Sequence, residues 1–156
     1  MTALLLSLHV LAAILTVGPV AITASMFPRA ARRALAAPDD ASAAAAARLL
    51  HRVTRVYAVV GVAVPVLGYA TGASLGVLSD AWLITSMVLT AAAAAVLIVL
   101  VLPGQRRVLE ALDKSPSAAS DPVRRLAMHA GVFNLLWAVV VVLMVYRPGS
   151  TTGAGL

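Results

Sequence analysis

Three histidines, His9, His51 and His129, carry most of the coordination chemistry this sequence offers. With no cysteine in 156 residues, disulfides, iron–sulfur clusters and thiolate zinc sites are excluded, and any metal must be held by nitrogen, oxygen or methionine sulfur. His9 lies inside an apolar run that contains no Asp, Glu, Lys or Arg. An imidazole in such surroundings loses its hydration unless it is paired, so it serves either as a hydrogen-bonded packing residue or as a metal ligand. His51 and His129 stand beside arginines, where lipid phosphate is the simpler partner, although the two could also face each other. Asn134 is the other isolated polar side chain in an apolar run and is a candidate pocket residue.

The elements that must position these residues follow from composition. The chain is 62% hydrophobic and 12% charged, with mean hydropathy +0.98, far from the balance of a water-soluble domain. Four apolar runs of about 20 residues or more read as membrane spans: 4–26, 56–78, 81–102 and 127–146, with long segments 27–55 and 103–126 between the first and last pairs. The expected fold is an all-α, up-and-down bundle of four transmembrane helices forming a single membrane domain. A cleaved signal peptide is the alternative for the first run, but that run lacks a basic start and is too long.

Charge placement sets the orientation. Eleven of the twelve Lys and Arg residues fall in the two long segments and only Arg147 lies elsewhere. The positive-inside rule therefore puts both segments in the cytoplasm and both termini outside, as in a multi-pass protein of a bacterial plasma membrane. The isoelectric point near 11.1 reflects this topology. No aromatic residues interleave with the arginines as base-stacking platforms, so a lipid bilayer is the expected partner and nucleic acid is not.

Local signals add detail. Asp39 or Asp40 after Pro38, and Asp121 before Pro122, read as helix starts. Pro65 should kink the second span. Gly68, Gly72 and Gly76 form a small-xxx-small ladder expected to pack against another helix. Each half runs span, proline (Pro28, Pro103), double arginine, Asp-containing turn, histidine, span, which suggests a tandem repeat of two helical hairpins.

Depth limits what the histidines can share. His9 lies roughly 7–8 Å inside the outer boundary, whereas His129 lies near the cytoplasmic one, so some 20 Å separates them. Two axial ligands of one haem stand about 4 Å apart through the iron, and this pair cannot serve as such. No span carries an acid, lysine or arginine, which argues against a proton or ion pump. No nucleophile, zincin, Walker or dinucleotide motif is present, so an enzyme is not the favoured reading.

The opening residues Leu8, His9, Val10, Leu11, Ala12, Ala13, Ile14, Leu15 with Gly18, followed by Phe27, Pro28 and Arg29, resemble the first helix of an uncharacterised family of four-helix actinobacterial membrane proteins. More distantly they resemble the haem-dependent four-helix protoporphyrinogen oxidase and the copper-resistance D protein. Val132, Phe133, Asn134 and the closing Val145, Tyr146, Arg147, Pro148 are similar to that oxidase's last helix. The resemblance implies haem b as cofactor, with His9 as the iron ligand. The chain departs from the oxidase where Thr85 and Ser86 replace a lysine in the third span, and where Thr16 and Val17 replace a tryptophan in the first. Two readings therefore stand: a non-catalytic membrane subunit or structural protein that engages lipid, a membrane-protein partner or a second copy of itself, and a b-type haem or redox-linked protein using His9.

Overall fold

A computed structural model describes residues 2–114 and 120–150. Helix α1 (Thr2–Ala36) runs unbroken through Pro19 and Pro28. The chain then turns over Ala37 to Asp40 into α2 (Ala41–Val60). Of the two candidates after Pro38, Asp39 and Asp40, the second is the N-cap: its carboxylate accepts from the Ser42 hydroxyl at 2.6 Å and the Ser42 backbone N–H at 2.9 Å, satisfying a donor that the first turn leaves without a partner. The same two bonds, hydroxyl first, hold the Asp40 carboxyl below its ordinary range. The segment 27–55 between the first two apolar runs is thus helical apart from one short turn. Its Ala, Leu and Arg residues are strong helix formers that keep the helix going beyond the apolar run.

The second span is broken where Pro65 requires it. Proline lacks an N–H and its ring clashes with the carbonyl four residues earlier, which is Gly61. The chain accordingly passes through a turn at Gly61 and Val62. Val64 N–H takes the Gly61 carbonyl at 3.0 Å, and α3 (Ala63–Leu75) follows. Gly76 ends α3 in the left-handed conformation, φ +70°. Its N–H bonds to the Ala73 carbonyl, while Val77 N–H bonds to the Gly72 carbonyl at 3.1 Å, the paired bonds of a Schellman cap.

The third span consists of α4 (Ala81–Ala95), a π-helical segment Val96–Val101, and α5 (Leu102–Lys114). The Leu102 N–H reaching the Leu97 carbonyl marks the wider turn. The fourth is α6 (Ser120–Tyr146), with Asp121 in its first turn and Pro122 just behind, within two residues of the expected start. Four helices are long and apolar enough to cross a membrane, and no strand occurs among the described residues. The fold is an all-helical, four-span, up-and-down bundle. The irregularities of its two hairpins differ, with a break in the second helix of one and a π segment in the first helix of the other.

Span 1 packs along span 2 and against span 4, and span 4 packs along span 3. Spans 2 and 3 come together chiefly near their ends, α2 against α5 and α3 briefly against α4. The main core lies toward the arginine-rich end, where Phe27, Val101, Val108, Val123, Leu126 and Phe133 are buried together with Ala24, Ala31, Ala47, Ala93 and Ala130. Small alanines between larger side chains let the backbones approach, which helices in lipid need because the solvent itself drives no hydrophobic association. A smaller cluster of Val77, Trp82 and Leu83 closes the opposite end. There Trp82 Nε1 donates to Asp80 at 3.0 Å, and the Arg147 guanidinium lies 5.5 Å from the Trp82 ring centre. Outward-facing Ile14, Ile22, Val88 and Val145 are each at least 60% exposed, a girdle suited to lipid and untenable in water.

Candidate functional site

Several polar side chains of the spans are joined across helices, while Thr16, Thr71 and Ser86 bond to carbonyls of their own helices. His9 Nδ1 lies 3.0 Å from the carbonyl oxygen of Val64. A carbonyl only accepts, so Nδ1 carries the proton and Nε2 the lone pair. The ring enters the notch left by Gly68: a Cβ on that residue would stand 2.9 Å from His9 Cε1. Deeper in the same seam, the buried hydroxyls of Thr23 and Thr54 are 2.8 Å apart. Asn134 Nδ2 donates to Ser25 Oγ at 2.8 Å, and that hydroxyl donates in turn to the Ala21 carbonyl at 2.7 Å. Asn134 Oδ1 is buried without a partner among the described residues.

The expected sites are therefore distributed differently from their sequence reading. Of the glycine ladder, Gly68 receives His9 and Gly72 faces Leu83 and Leu78, whose Cδ2 atoms would lie 2.8 and 3.2 Å from an added Cβ. Gly76 has no atom within 4 Å of that position and a left-handed φ, so it is a cap instead of a packing glycine. His51 and His129 do not form a pair. His51 Nδ1 bonds to Gln105 Oε1 at 2.9 Å, whereas His129 lines a groove between α5 and α6 that does not include His51. Asn134 lines neither cavity described below.

Gln105 escapes a sequence reading because it follows Pro103 and Gly104 in what looks like a loop. It is fully buried, and its Nε2 has no partner among the described residues. Its spacing from Val101 and Val108, four residues before and three after, is the signal that places it on the core face.

Two concavities among the described residues bear on the site. The first, about 110 Å³, opens where spans 2 and 3 part. Thr16 and Val20 of span 1 and Phe133 and Trp137 of span 4 form its floor, and its rim includes Ala58, Gly61, Val62, Thr90, Ala94 and Ile98. Both irregular stretches, the Gly61–Val62 turn and the π segment, contribute to it. Such departures from regular helix gather at functional positions. The second concavity is the groove at His129, about 250 Å³, at the arginine-rich end. Among the described residues no group of three or more His, Asp or Glu side chains could hold a metal ion.

A haem at His9 would need a slot beside the ring. The gap that Gly68 creates is filled by the imidazole itself, and His9 lines neither concavity. The residues present do not form a cradle for a macrocycle at this position.

No curated protein and no solved structure matches the chain. A family described as a predicted integral membrane protein, DUF2269, matches residues 3–148. Four lipid-facing helices of this length and a match over nearly the whole sequence lead to one statement: the chain is an integral membrane protein and belongs to the DUF2269 family.

Proposed function

We propose that the protein is a non-catalytic subunit of the bacterial plasma membrane, with both termini outside, that works by packing against the transmembrane helix of a partner at the opening between spans 2 and 3. The opening carries this reading. It sits near mid-depth, faces lipid, and is edged by the small residues Ala58, Gly61 and Ala94, the residue types that let a further helix approach closely. An apolar cavity of about 150 Å³ holds a benzene ring, so one of about 110 Å³ suits a single inserted side chain, as a knob enters a hole. The interhelical bonds of His9, Thr23, Thr54 and Asn134 support a structural role for the polar residues within the spans.

Because the sequence has no cysteine, single substitutions report cleanly in native membranes. Val62→Cys and Ala94→Cys are expected to be shielded from a lipid-soluble maleimide and, on oxidation with copper–phenanthroline, to form a disulfide adduct with a partner cysteine or with a second copy, unlike the outward-facing Ile22→Cys and Val141→Cys. Equal labelling at all four positions with no adduct overturns the proposal.

A second reading, a b-type haem or redox-linked protein, rests on one observation and requires spans 1 and 2 to part beside the His9 ring, which fills the notch at Gly68. With its Nδ1–H given to the Val64 carbonyl, His9 keeps Nε2 free in the arrangement that metal-bound imidazoles adopt. An absorption spectrum of the purified protein after addition of hemin, with and without dithionite, decides it: a haem band in wild type that is lost in His9→Ala is required.

A further inference from the structure

We infer that the groove between α5 and α6 at the arginine-rich end binds the headgroup of an anionic phospholipid, with Arg107 and Arg125 gripping the phosphodiester. The two arginines come from different helices and line one concavity of about 250 Å³. Neither has an ion-pair partner among the described residues, although Arg48 and Arg106 at the same end are paired with Asp113 and Glu110. A guanidinium is a rigid fork of donors matched to phosphate oxygens, and an unpaired one at a membrane boundary is primed for such a partner.

The remaining lining defines what kind of anion fits. His129 adds a ring nitrogen, and Asp121 adds one carboxylate. Two guanidinium groups against one carboxylate leave a single positive charge among these three side chains, which matches the single negative charge of a phosphodiester. Asp121 repels a second anionic charge and accepts hydrogen bonds, so a headgroup bearing hydroxyls, such as glycerol, suits it better than a bare phosphate. At its inner end the groove continues onto Val99 and Leu100, 62% and 41% exposed, an apolar wall along which an acyl chain can lie. Its floor is at Gly104, where an added Cβ would stand 3.0 Å from Leu126 Cδ1, so the two helices are already in close contact beneath the site. A soluble anion would use the arginines alone. The basic rim and apolar wall together select a lipid.

Native mass spectrometry of the full chain released from neutral detergent tests this. Phosphatidylglycerol added at a few equivalents is expected to be retained as one lipid per chain, with phosphatidylcholine lost and inorganic phosphate unable to displace the lipid. The Arg107→Ala/Arg125→Ala pair should weaken retention roughly thirtyfold, and the Arg107→Lys/Arg125→Lys pair, which preserves charge, should weaken it by a smaller factor. The Arg29→Ala/Arg124→Ala pair removes equal charge outside the groove and should retain the lipid as wild type does. Equal losses in both alanine pairs, equal retention of the two lipids, or displacement by phosphate overturns the assignment. Circular dichroism of each variant separates unfolding from lost binding, and the lysine pair carries the test if the alanine pair does not fold.

Discussion

The imidazole of His9 occupies the space that a side chain on residue 68 would need: a Cβ there would lie 2.9 Å from His9 Cε1, while the ring's Nδ1 is held by the Val64 carbonyl at 3.0 Å. The two residues are a matched pair across spans 1 and 2, one supplying a ring and the other its absence of side chain.

That pairing predicts non-additive substitutions. Gly68→Ala alone gains helix propensity but forces the ring off its carbonyl, two effects of about 1 kcal/mol each and of opposite sign. In a His9→Ala background the notch is empty, and Gly68→Ala should then stabilise by about 0.5–1 kcal/mol. A double-mutant cycle in detergent unfolding should show coupling near 1 kcal/mol, and a value of zero would mean that the ring and the glycine do not meet.

Gly72 faces the Leu83 and Leu78 side chains across the thin contact between α3 and α4. Gly72→Leu overfills that contact and should cost about 1–3 kcal/mol, read as a lower melting temperature in detergent. An unchanged melting temperature would place this face against lipid.

His51→Ala leaves both ends of a fully buried amide unpaired, since Gln105 Nε2 already has no partner among the described residues. The expected loss is about 1–3 kcal/mol. Gln105→Leu removes the buried amide together with its unpaired donor and should cost less. The reverse order would show that the amide is satisfied without His51.

The Asp40 cap should weaken in acid. Its carboxyl is held below the ordinary range by Ser42, so the cap's contribution is present above that range and fades as pH falls through the lowered value. Wild type should exceed Asp40→Ala in stability at neutral pH, with the gap closing at strongly acidic pH. A gap that persists unchanged in acid would refute a role for the charged carboxylate.

A reporter active only outside the cytoplasm, fused after Leu156, should be active, because eleven of the twelve cations flank the opposite ends of the spans. A well-expressed but silent fusion reverses the orientation.

Much of this architecture is legible in the residues themselves. Four apolar runs specify four helices, the Asp39–Asp40 pair after Pro38 marks a helix start, and Pro65 marks a break at Gly61 because its ring and missing N–H act four residues upstream. Where the reading fell short, one residue type had two uses. Gly76 continues the four-residue glycine spacing but serves as a left-handed cap, since the helix ends one residue before it. Gln105 looks like a loop residue because Pro103 and Gly104 precede it, yet the helix runs through all three. The opening between spans 2 and 3 leaves no mark in composition, being made by two local irregularities on different helices.

The π segment Val96–Val101 also governs the phase of span 3. Ala93 and Gln105 both face the interior, yet twelve residues of ordinary α-helix would set them about 120° apart around the axis. The wider turn absorbs one residue, about 100° of that angle, and brings the two stretches back onto one face. Deleting any one of these six residues would regularise the backbone and swing Gln105 away from His51. The length of this Val-, Leu- and Ile-only stretch is therefore constrained more tightly than its outward-facing side chains, Ile98, Val99 and Leu100, which other aliphatic residues could replace.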